Sequence, residues 1–154
     1  MYSGMKNKKQ IKPEKQFEQL VRAWCIQNNI WVDVFDSKAT FTERGVYKTQ
    51  GLPVGTPDLI GFNKQGKFVA LELKAPELEV IPSLQQWNYI AKAIDSTCFA
   101  MVVNSLEDLS ETYKKWQEII EDRNKIAYLR SKLPKKAYIK GPKGSRKVVE
   151  LIPA

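Results

Sequence analysis

An α/β domain, with a β-sheet covered by helices on both faces, is what the sequence predicts, and three features predict it. Leu59 to Phe62 and Phe68 to Leu73 flank Lys64-Gln65-Gly66, the pattern of a β-hairpin whose three-residue loop puts glycine in the left-handed position. Both faces of that hairpin are apolar: Ile60, Phe62, Phe68 and Ala70 lie on one, Leu59, Val69, Leu71 and Leu73 on the other. Each face therefore needs a cover. Stretches with apolar residues at three- and four-residue spacing precede and follow it, and these supply the covers.

From Pro13, the residues Phe17, Leu20, Val21, Trp24 and Cys25 recur at helical steps, so a first helix starts near Pro13 and ends at Asn28-Asn29. Residues 1–12 are polar and lysine-rich and read as a flexible basic arm. Ile30 to Phe35 alternates loosely and suits a first strand beside the hairpin. Asp36 to Val54 is a long polar excursion carrying Arg44 and Lys48. Connections of that length are often functional. Contact with a substrate backbone and an ordinary connecting loop are both open readings of it.

Ala75-Pro76 ends the hairpin, and a helix begins near Ser83 with Leu84, Trp87, Ile90, Ala91 and Ile94 as its apolar stripe. Ser83-x-x-Gln86 is a capping box. Cys98 to Val103 is a continuous apolar run, the pattern of a central strand covered on both sides. Ser105 then caps a helix built on Leu106, Leu109, Tyr113, Trp116 and Ile120, with Glu107 and Asp108 in its first turn. A short helix to about Leu133 follows, and then a small hairpin, Ala137 to Ile139 and Val148 to Ile152, around Gly141-Pro142-Lys143-Gly144. The division expected is an arm (1–12), a core domain (13–122) and a basic extension (123–154) packed on or trailing the core.

The chain has no histidine. That excludes serine or cysteine triads and histidine-ligated zinc hydrolysis, and leaves carboxylate and metal chemistry. Cys25 and Cys98 sit in apolar contexts and read as reduced core thiols. No stretch is apolar enough to span a bilayer and no apolar segment follows the N-terminus, so the expectation is a cytoplasmic protein without a membrane partner. The formal charge of +8 is uneven: residues 1–122 hold 15 Lys and Arg against 16 Asp and Glu, whereas residues 123–154 hold 10 against Glu150 alone. That polarity suits nucleic acid, with Lys135 and Lys136 as candidate contacts, although lysine-rich tails also serve solubility.

If the loop closes Asn63 on Lys67, then Phe62 faces Phe68, Ile60 faces Ala70, and Asp58 faces Glu72. Lys74, two residues on, shares the face of Glu72. Two carboxylates about 5 Å apart repel by roughly 3 kcal/mol at an effective dielectric near 20. A divalent cation relieves that repulsion, and oxygen ligands without histidine or thiolate suit Mg²⁺ or Mn²⁺. The competing reading makes Asp58 a turn cap after Pro57 and Glu72 and Lys74 a solvated ion pair.

Pro57-Asp58 followed by Glu72-Leu73-Lys74 resembles the signature of the PD-(D/E)XK nuclease superfamily. Gly-x-Pro-Asp-Leu-Ile-Gly-Phe and Gly-Lys-Phe-Val-Ala-Leu-Glu-Leu-Lys are most similar to its virus-type replication-repair nuclease (VRR-NUC) branch, and the similarity covers residues 14–104. The resemblance implies a restriction-endonuclease-like core with a mixed sheet, and a Mg²⁺-dependent DNA endonuclease in which Mn²⁺ substitutes. Asp58 and Glu72 would be metal ligands, the Leu73 carbonyl a further one, and Lys74 would stand beside the attacking water. A glutamate on the first helix completes such sites, and Glu18 matches it, with Glu14 competing. A glutamine on the helix after the hairpin belongs there too, and Gln86 matches it, with Gln85 behind. Branched DNA such as flaps or Holliday junctions, a homodimer, and a phage or bacterial origin are further implications. A nucleic-acid-binding module with a degenerate, non-cleaving nuclease fold is the alternative, and a structural protein is another; the intact Asp58, Glu72 and Lys74 argue against the first.

Overall fold

The computed structural model describes residues 12–34, 40–42, 45–47, 54–76 and 79–151. Arg44, Lys48 and the arm before Lys12 lie outside the described residues. In chain order the elements are α1 (Pro13–Gln27), β1 (Trp31–Val34), β2 (Thr40–Thr42), β3 (Gly45–Tyr47), β4 (Leu59–Phe62), β5 (Phe68–Leu73), α2 (Leu84–Asp95), β6 (Phe99–Val103), α3 (Leu106–Glu118), α4 (Asp122–Ser131), β7 (Lys136–Lys140) and β8 (Arg146–Glu150). Four strands form one mixed sheet in the order β1-β4-β5-β6, with β1, β4 and β5 antiparallel and β6 parallel to β5. The protein is α/β.

The β4–β5 hairpin has the register its loop dictates, Phe62 facing Phe68 and Ile60 facing Ala70. Asn63 sets it. Its amide and carbonyl bond to Lys67 and Gly66, and its side-chain oxygen accepts from the amides of Gln65 and Lys67 at 3.0 and 2.9 Å. Gly66 takes φ +80°, which costs glycine little and a β-carbon more. The Asn63 side chain is buried, and its Nδ2 donates to the Tyr113 hydroxyl, tying the turn to α3.

Alternation along β5 and β6 sends Val69, Leu71, Phe99 and Met101 to one face and Ala70, Glu72, Ala100 and Val102 to the other. On the first face Phe99 meets Tyr113 and Trp116 of α3 edge-on, and Tyr113 meets Trp24 of α1. On the second, α2 approaches closely enough for Gln86 to reach Glu72. Both faces are thus covered, and Val69, Ala70 and Leu71 are fully buried between them.

Three expectations are corrected. β6 is buried at every residue yet lies at the edge of the sheet, not its centre. A run of apolar residues reports covered faces, which α2, α3 and α4 provide, and not the number of lateral neighbours. Leu20, at a helical step from Phe17, is 55% exposed, because the buried stripe of α1 is the narrower Phe17, Val21, Trp24 and Cys25. Ile120 is 93% exposed, since α3 ends at Glu118 and Ile119 turns to an extended backbone.

The stretch read as an excursion contains a short antiparallel pair, β2 with β3. Cys25 and Cys98 are free thiols, the first buried. In the basic extension, Leu129 of α4 joins the main core and Ala137 of β7 is fully buried. No described helix is long and apolar enough to cross a membrane.

Asn63→Ala removes the acceptor for two loop amides and a donor to Tyr113, so it should cost about 1–3 kcal/mol in urea unfolding. Tyr113→Phe, which removes one partner and no packing, should cost less. Equal stability of Asn63→Ala and wild type would contradict the role given to this turn.

Candidate active site

Where β4 stops, Asp58 turns its carboxylate onto the neighbouring strand: Oδ2 accepts from the Leu73 amide at 2.8 Å. The side chain thus takes a donor beyond the last ladder pair, Leu59 with Leu71. The approach to Asp58 runs hard against α2. Gly55 has φ +92°, and a β-carbon there would come within 2.8 Å of the Gln85 main chain, so only glycine satisfies both limits.

Glu72 projects from β5 toward α2 and is 2% exposed. Its Oε1 accepts from Gln86 Nε2 at 3.0 Å, while Oε2 is buried with no hydrogen-bond partner. The Asp58 carboxylate lies alongside. Two ionised acids are both acceptors, so neither satisfies the other. Burial, and then the neighbouring Asp58 charge, push the Glu72 pKa up to about 9 against the opposing charge of Lys74. A lone acid pair here therefore holds a proton at neutral pH.

Gln86 joins three elements. Its Oε1 accepts from the Ser83 amide at 2.9 Å and from Lys74 Nζ at 3.2 Å, and its Nε2 holds Glu72. The Ser83 hydroxyl accepts in turn from the Gln86 amide at 3.1 Å. One side chain therefore closes the capping box and contacts both Glu72 and Lys74. Gln85 is exposed and packs instead against Gly55.

The acid pair and Lys74 line a cleft of about 980 Å³, with Gln86 behind them. Asp58, Glu72, Leu73 and Lys74 bound it from the sheet, and Glu14 and Glu18 from α1. Glu18 is largely covered and its Oε2 is held by Lys15 Nζ at 2.8 Å. Among the described residues no group of three or more His, Cys, Asp and Glu side chains is assembled for an ion. Lys135 is exposed, Lys136 Nζ lies 3.8 Å from Glu79, and neither lines the cleft.

Tyr138, Arg146 and Val148 line it as well, and local sequence pattern does not single them out. Their arrival depends on docking of the terminal hairpin, through Tyr138 N–H to Pro82 C=O at 3.0 Å. The lysine-rich composition of the tail was the only available signal.

The donor set is oxygen alone, a buried carboxyl beside a second carboxylate. It fits a hard divalent cation such as Mg²⁺ or Mn²⁺. No family model, curated protein or solved structure matches the chain.

In the metal-free protein the folded state keeps a proton on Glu72 that the unfolded chain releases near the ordinary carboxyl value of 4.5. The stability this contributes is full below that pH and is lost as pH rises through about 9. Thermal melts in a chelator should show Tm falling over that window, with a shallower fall in Glu72→Gln, which cannot ionise. Identical slopes in the two proteins would contradict a buried, proton-holding Glu72.

Proposed function

We propose that the chain is a metal-dependent endonuclease that hydrolyses DNA phosphodiester bonds. The observation that carries this reading is the buried Glu72 carboxyl paired with Asp58, beside Lys74 in the wall of an open cleft, with Gln86 bonded to both Glu72 and Lys74. Burying two neighbouring acids at the end of a sheet costs stability that a structural domain would avoid with apolar residues.

Asp58 and Glu72 would hold the cation, with the Leu73 carbonyl as a further ligand. When bound, a divalent ion offsets charge on the scissile phosphate and lowers the pKa of water at the site. The Leu73 amide keeps the Asp58 carboxylate oriented, and Gln86 keeps Glu72 and Lys74 in fixed relation. Lys74 carries its ammonium on the same face as Glu72, where it orients the attacking water or offsets charge developing on the phosphate. Glu18 lines the same cleft, where the sequence resemblance would make it a further ligand.

A restriction-endonuclease-like core is the finer reading of the architecture, supported by the mixed sheet and by a carboxylate pair at its end. DNA as substrate is supported by the positive surplus in residues 123–154. Preference for branched DNA and action as a homodimer follow from the sequence resemblance to virus-type replication-repair nucleases.

Labelled linear, flap and four-way-junction DNAs incubated with Mg²⁺ or Mn²⁺ test the proposal. Wild type should cut at least one form, and Asp58→Ala and Lys74→Ala should each lose roughly 100-fold or more in rate while keeping the wild-type circular dichroism spectrum. Undiminished cutting by Asp58→Ala, or no cutting by wild type on any form, would contradict it and favour a binding module.

A further inference from the structure

One wall of the cleft comes from the β7–β8 hairpin. Its register sets Tyr138 opposite Val148 and Lys140 opposite Arg146. Directly opposed residues share a face, and alternation places both pairs on the same one. Tyr138, Arg146 and Val148 line the cleft, so this is the face turned to the carboxylates. Two cations are thereby set directly across from each other, an arrangement that destabilises a hairpin unless an anion lies over them.

Arg146 is prepared for such an anion. Its guanidinium carbon stands 4.3 Å from the centre of the Tyr138 ring, so stacking holds the plane while the N–H groups remain for a partner. Among the described residues neither Arg146 nor Lys140 forms an ion pair, whereas Lys136 reaches Glu79. Glu14, Glu18 and Glu79 line the cleft together with Lys12 and Lys15, Lys15 being taken by Glu18, so Arg146 adds an uncommitted cation on the opposite wall.

The hairpin is joined to the site by a short run of bonds. Tyr138 N–H bonds to Pro82 C=O, the next residue Ser83 caps α2, and Gln86 of that cap holds Glu72 and Lys74. Ala137, on the opposite face of β7 from Tyr138, is fully buried and anchors the strand. The cationic wall and the acid pair are therefore positioned by the same helix start.

We propose that Arg146, stacked on Tyr138 and with Lys140 across from it, binds a backbone phosphate of DNA beside the phosphate presented to Asp58 and Glu72. This rests on the nuclease reading above and assigns the substrate-gripping role to the terminal hairpin rather than to the lysines at its start.

The test measures binding of a fluorescent flap DNA by anisotropy in EDTA, and cleavage in Mn²⁺, for wild type, Arg146→Ala, Arg146→Lys and Lys147→Ala. Lys147 is the adjacent cation on the opposite face of the hairpin and serves as the charge control. Arg146→Ala should weaken binding about 10-fold or more and raise KM by a similar factor with a smaller change in kcat. Arg146→Lys, which keeps the charge and not the planar fork, should fall between, and Lys147→Ala should lose no more than about 3-fold. Melting curves of Arg146→Lys confirm that the hairpin still docks. Equal losses in Arg146→Ala and Lys147→Ala, or no loss in either, would overturn the proposal while leaving cleavage by wild type intact. DNA binding that depends on Arg146 without any cleavage would instead sink the nuclease reading and retain the phosphate contact. Absence of DNA binding by wild type would overturn both.

Discussion

The structure is governed by the need to neutralise two carboxylates held together at the end of a buried sheet. Asp58 and Glu72 cannot move apart, because hairpin register and the Leu73 amide fix one and the Gln86 amide fixes the other. When both are ionised, their repulsion adds to the cost of burying Glu72. Lys74 is near enough to lower that cost, yet burial and Asp58 still win, leaving Glu72 strongly raised. A proton or a cation has to occupy the gap, and the proposed function assigns it to a cation.

The remaining features can be ranked by how directly they serve that pair. The Asn63 turn sets the register that opposes the two acids. Gly55 lets the chain before Asp58 pass close to α2, and the Ser83 cap starts α2 where Gln86 can reach the sheet. A cap contributes about 1 kcal/mol by itself. Here its second member also spans to Glu72 and Lys74, so helix initiation and site geometry are one event and not two.

Much of this was legible from local chemistry. Glycine after Lys64-Gln65, alternation from Phe68, and Ser83 three residues before Gln86 each depend on contacts within a few residues, and hairpin register then placed Asp58, Glu72 and Lys74 together. What was not legible depends on distant partners. The apolar run at Phe99–Val103 could not say whether a strand lies beside it, only that both faces are covered. Leu20 and Ile120 carried the right spacing, but the width of the covering surface and the end of α3 left them exposed. Glu18 lines the same cleft as the acid pair but bonds to Lys15, a three-residue neighbour whose competition the spacing alone does not reveal. Arg146 was read only as part of a basic tail, because nothing near it in sequence announces that Tyr138 docks on Pro82.

Mn²⁺ titration of the purified protein, followed by calorimetry, addresses the central claim without requiring the right DNA. Wild type should bind the ion, and Glu72→Gln and Asp58→Asn, which keep shape and remove one charge each, should each weaken binding about 10-fold or more. Uptake that is equal in all three proteins, or absent from wild type, would contradict the account.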